Sequence, residues 1–167
     1  MTLDLSALSP QDGIAALRSY PRRFSALLCP ISGDDTWISI ITRPGPEGMS
    51  ALDITRACAT RISDLSQALD VILIEQSPQL PGTLAEPATV VASGTQDVPA
   101  QLRALDAATS ALASRAERVP AGDWGRAAHL DSSDGELSAL DVLREAVRTG
   151  SDGLHKVEET INSVRRA

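Results

Sequence analysis

The sequence predicts an all-α fold, a four-helix bundle with a long crossover between its second and third helices. Two identical tetrapeptides, Ser50-Ala51-Leu52-Asp53 and Ser138-Ala139-Leu140-Asp141, each precede a long apolar-periodic run. A serine followed three residues later by a carboxylate is a capping box, in which side-chain oxygens satisfy backbone N–H groups that the first helical turn leaves orphaned. The longest run, Leu140, Leu143, Val147, Gly150, Leu154, Val157, Ile161 and Val164, repeats at alternating spacings of three and four, as in a bundle seam. Between residues 76 and 96 three prolines and two glycines interrupt any period, which predicts a connector long enough for the helices on either side to run the same way.

The elements follow in order. Ile14, Leu17, Phe24, Leu27 and Leu28 have helical spacing, but Pro21 lies among them, and a proline removes a donor and breaks or restarts a helix. The main body of the first helix is therefore placed at 20–29, ended by Pro30 and the Gly33-Asp34-Asp35 cluster. Trp37 to Thr42 is a short β-branched run that reads either as an extended connector or as a short helix, before the turn at 43–48. The second helix opens at Ser50 and carries Ala51, Ile54, Cys58, Ile62, Leu65, Leu69 and Ile72 on one face. The third carries Val98, Leu102, Leu105, Ala108 and Leu112 and stops by Pro120-Ala121-Gly122. Trp124 to Leu130 then faces Glu136-Leu137 across Asp131-Ser-Ser-Asp-Gly135, a small hairpin or loop, before the fourth helix opens at Ser138.

Length and composition bound the function. The 167 residues suffice for one domain with a single core, taken as 1–167. A net charge of −7 repels phosphate backbones and only 2% of residues are aromatic, so no nucleic-acid partner is expected. No apolar run approaches the roughly 20 residues of a membrane span, and Met1-Thr2-Leu3-Asp4 lacks the start of a signal peptide, which predicts a cytoplasmic protein without membrane contact. Cys29 and Cys58 have neither metal-knuckle nor redox-pair spacing and read as small hydrophobes.

Phosphate loops, HExxH, nucleophile elbows and EF-hand loops are missing from the sequence. Of the two histidines, His155 falls opposite the apolar seam of the fourth helix and reads as solvated. His129 is a candidate ligand or acid-base group that lacks a companion at metal-site spacing.

Four helices with that crossover, the Val119-Pro-Ala-Gly-Asp-Trp124 entry, a hairpin-like link and Ser138-Ala-Leu-Asp-Val-Leu-Arg-Glu-Ala-Val together resemble the DinB-like superfamily. That superfamily includes mycothiol-dependent maleylpyruvate isomerases and bacterial thiol transferases. The resemblance implies a divalent metal held by one histidine of the second helix and an HxxxH pair of the fourth. Those positions fall here on Ala57, Thr149 and Gly153, none of which offers an imidazole. The expectation is a degenerate metal site with no cofactor and a candidate pocket at Ala57, Thr149 and Gly153. Such a bundle would act in small-ligand or thiol binding, or as an interaction or homodimer module.

The alternative is a zinc- or nickel-dependent, mycothiol-type transferase or isomerase whose site is rebuilt from Asp53, His129 and Glu145. Asp53 and Glu145 each lie one turn before a lost ligand position. Against it, Asp53 is claimed by its capping box and Glu145 by Arg148 or Arg144 on its own helix. Gly150 and Gly153 each cost about 1 kcal/mol relative to alanine inside a helix, so close packing or a pocket must use the missing side chains.

Overall fold

The computed structural model describes residues 5–30, 35–86, 89–131 and 134–167. Among them the chain is mostly helical: α1 (Pro10–Leu28), α2 (Asp35–Thr42), α3 (Ala51–Ile74), α4 (Val98–Ala116) and α5 (Ala139–Arg166), with strands β1 (Gln79–Leu80), β2 (Ala127–Leu130) and β3 (Glu136–Ser138). The stop assigned to Gly33 and Asp34, and the centre of the turn at Ser132 and Ser133, lie outside the described residues.

Both capping boxes form. Ser50 and Ser138 each accept from the backbone N–H of the aspartate three residues on, and each aspartate accepts from the serine N–H in return. Pro21 does not restart α1. The helix begins at Pro10, capped by Ser9, and runs through Pro21 to Leu28. An interior proline costs about 3 kcal/mol, but Leu17, Tyr20, Phe24 and Leu28 lie on one face on both sides of it and all are buried. Their burial carries the helix across the lost donor. The Trp37 run is helical, and its indole N–H donates to the carbonyl of Leu28 at 3.1 Å, tying α2 to the end of α1.

The four long helices pack around one core, with α3 and α1 each against both α4 and α5. Gly13 meets Leu143, Tyr20 meets Gly150 and Phe24 meets Gly153, so α1 and α5 run parallel. Cys58 meets Gly153 while Arg61 approaches Glu145, so α3 runs against α5. Near their C-terminal ends α3 and α4 are joined by Asp70 and Arg115 at 2.7 Å, and Asp53 at the start of α3 holds Ser93, five residues before α4, so these two run parallel, as the long connector allows.

The connector holds structure that its composition conceals, and a purely helical description needs correcting. β1 pairs in parallel with β2, Gln79 opposite His129, and β2 pairs antiparallel with β3, giving a three-stranded sheet in the order β1-β2-β3. A 3-10 turn at Gly82–Ala85 follows, and a Cβ on Gly82 would run into the carbonyl of Asp131, so glycine lets the two backbones approach. Such pairings join residues some fifty positions apart and leave no local period to read.

The connector also changes α3. All seven residues of its predicted face are buried, but so are Leu52, Asp53, Thr55, Ala59, Arg61, Ser66 and Ala68. The helix is covered on most of its circumference, by α4, α5 and the connector together. Among the described residues no helix is long and apolar enough to cross a membrane.

Candidate functional site

The ligand positions implied by the resemblance meet in one place. Ala57, Thr149 and Gly153 line a cavity of about 270 Å³ between α3 and α5, with Ala85 and Val90 of the connector across its mouth. Ile54, Cys58, Glu145, Arg148, Asp152 and Lys156 complete the wall. Its floor is apolar, and the α5 side carries carboxylates and cations alternating along one face, as residues three and four apart do.

Both glycines of α5 serve close packing. A Cβ on Gly150 would enter the ring of Tyr20, and one on Gly153 would meet the Sγ of Cys58 and the tip of Phe24. Gly153 thus has two roles: it admits the Cys58 side chain beneath it and borders the cavity.

Cys58 is 6% exposed, and its thiol donates to the carbonyl of Thr149 at 3.6 Å. Burial pushes its pKa up to about 12, so the side chain stays a thiol at neutral pH and is neither a nucleophile nor a thiolate ligand. Cys29 is exposed. In the native protein one of the two thiols should therefore react promptly with an aromatic disulfide reagent, and the second only when denaturant opens the fold; two prompt equivalents would contradict the burial of Cys58. Tyr20 behaves alike: burial pushes its phenol up to about 12, and the hydroxyl donates to the carbonyl of Val147 at 2.7 Å.

The residues proposed for a rebuilt metal site are not brought together. The Asp53 carboxylate accepts from the N–H and hydroxyl of Ser50 on one oxygen and from the N–H and hydroxyl of Ser93 on the other. Glu145 pairs with Arg148 at 2.7 Å and lies 4.0 Å from Arg61. Arg61 is eight residues beyond Asp53 on α3, about 12 Å along the axis at 1.5 Å per residue. His129 stands on β2, largely exposed, with Nδ1 3.3 Å from Glu136 on β3. His155 is similarly exposed beside Glu159, 3.1 Å away.

Two arginines that the sequence pattern did not single out hold the connector in place. Arg61, 7% exposed, donates to the carbonyls of Thr83, Leu84 and Glu86 at 3.2, 2.6 and 2.9 Å. Arg56 donates to the carbonyl of Val91 at 2.6 Å. A signal existed for Arg61: it lies three residues after Cys58 and four before Leu65, inside the apolar stripe, where a charge requires buried acceptors.

No family model matches this chain, and neither a curated protein nor a solved structure matches it.

Proposed function

We propose that this chain is a DinB-like four-helix bundle that has lost its metal and acts by binding a small molecule in the cavity between α3 and α5. The observation that carries the reading is that Ala57 of α3 and Thr149 and Gly153 of α5, none a metal ligand, border one cavity that the connector also lines. A methyl, a hydroxyl and a hydrogen at those positions supply space where imidazoles would supply donors. At about 270 Å³ the space is near the lower end of the range for ligand sites, so it suits a molecule of amino-acid size. The α5 wall carries both charges, Arg148 and Lys156 alternating with Glu145 and Asp152, which favours a zwitterionic or polar ligand over a purely apolar one.

The test has two parts. Protein purified without a tag or chelator is assayed for metal by elemental analysis and melted with and without zinc. No stoichiometric metal and no zinc-dependent rise in melting temperature are expected; a stoichiometric metal that Glu145→Ala removes would overturn the reading and restore the thiol-transferase alternative. A library of small zwitterions is then screened by ligand-observed NMR against the native chain and Thr149→Trp, which fills the cavity. Hits that the tryptophan abolishes support the proposal, and the absence of any such hit overturns it.

A further inference from the structure

On the other side of Ala57, a groove of about 590 Å³ runs between the outer face of α3 and the connector. Its two ends differ in chemistry. At one end Arg56 and Thr60 lie one turn apart on α3, and Thr89 lies two residues before the carbonyl that holds Arg56 in place. Only the Nη2 of Arg56 is engaged, by that carbonyl, and among the described residues no carboxylate lies within ion-pair distance of its guanidinium. The hydroxyls of Thr60 and Thr89 likewise have no partner among the described residues. Further along, the connector residues Leu84 and Leu80, 7% and 3% exposed, edge the groove, and Val71 closes its far end about 22 Å from Arg56 along α3.

Charge along the groove favours its Arg56 end for an anion. Arg61 shares the groove, but both its Nη atoms are occupied by connector carbonyls. Of the carboxylates, Asp64 is eight residues beyond Arg56, about 12 Å along the helix axis, and one turn beyond Thr60, while the backbone of Glu86 is held beside Arg61. With Nε buried and Nη2 held by Val91, the Arg56 end presents the Nη1 side of a guanidinium and two hydroxyls, a set that matches a carboxylate or phosphate head.

We infer that this groove is a second ligand site, for a small organic acid whose anionic head meets Arg56, Thr60 and Thr89 and whose apolar body lies along the connector toward Leu84 and Leu80. The groove differs from the α3–α5 cavity in its lining, in its volume and in the charge of the ligand it takes. The apolar edge shelters the body, and the charge-assisted bonds to the head supply selection.

Isothermal titration calorimetry with octanoate and 4-phenylbutyrate tests the assignment, with octan-1-ol as the body without the charge and inorganic phosphate as the charge without the body. One equivalent of acid should bind, with both half-molecules at least about tenfold weaker. Arg56→Met should weaken the acids by about tenfold or more and leave the alcohol unchanged, as expected for loss of charge-assisted hydrogen bonds. Because Arg56 also anchors Val91, Thr60→Val provides a second variant at an exposed helical position and should weaken the acids with the melting temperature preserved. The proposal is overturned if neither acid binds, if octan-1-ol binds as tightly, or if both variants bind as the native chain does. Thr149→Trp separates the two sites: it should leave acid binding intact, and loss of binding there would move the acid into the α3–α5 cavity and overturn the second site alone.

Discussion

Gly150→Ala is expected to lower stability by about 2–4 kcal/mol, although alanine is the better helix former by about 1 kcal/mol. The added methyl enters the ring of Tyr20, which is 2% exposed and fixed at its far end by the hydrogen bond to Val147. Overpacking a core costs about 1–3 kcal/mol, and displacing a buried hydroxyl from its acceptor about 1–3 more. The measurement is urea unfolding, read as a lower midpoint at unchanged slope. Tyr20→Leu in the same chain removes the ring and should return part of the loss, which a general intolerance of α5 to substitution would not do. A Gly150→Ala protein more stable than the parent would show that α1 and α5 have room between them and that the glycine serves something else.

The second large effect separates the two identical tetrapeptides. Asp53→Ala should cost about 3 kcal/mol and Asp141→Ala about 1 kcal/mol, each measured by the same unfolding experiment. Both changes remove a capping box, worth about 1 kcal/mol. Only Asp53 is 2% exposed and also accepts both bonds from Ser93, so its loss leaves the buried donors of Ser50 unsatisfied and frees the connector at Ser93. The side chain of Asp141 is 47% exposed and reaches only Arg144 besides its cap, at 3.6 Å. Equal costs for the two would mean that the Ser93 bonds contribute nothing.

The same carboxylate makes stability depend on pH. Burial alone would raise the Asp53 pKa, but the hydrogen bonds from Ser50 and Ser93 outweigh it and hold the group below the ordinary carboxylate value. A folded pKa below the unfolded one means that the unfolded chain binds the proton more readily. The contribution is therefore complete above the unfolded value, about 3.9, and is lost as pH falls through the folded one. The stability gap between the native chain and Asp53→Asn should be constant near neutrality and narrow in acid. A gap that widened in acid would reverse the sign of the assigned shift.

Much of the helical framework is legible because it is local. Serine with aspartate three residues on marks a helix start whatever surrounds it, and spacings of three and four mark α5 along its whole length, since the oxygen, the N–H groups and the side chains involved lie within one or two turns of each other. Pro21 misleads for the converse reason. A residue's local preference is about 3 kcal/mol, while the burial that overrides it comes from Leu17, Tyr20, Phe24 and Leu28 meeting helices far along the chain. For the candidate site, Ala57, Thr149 and Gly153 are the positions that the resemblance implies when its ligand spacing is laid off from the two caps, whereas Arg56, Arg61, Ala85 and Val90 have no such pointer, because their importance depends on where the connector lies.

By itself the sequence determined where α3 and α5 begin, which faces of the long helices are apolar, and that a long link separates the second from the third. The tertiary structure alone decided that this link pairs a strand with β2, roofs one cavity and walls another, and takes the second oxygen of Asp53 while Asp141 keeps its own exposed. A cap closes within four residues and is written in them; a partner forty positions away, such as Ser93, is selected only when the chain has packed and brought its N–H and hydroxyl to the carboxylate.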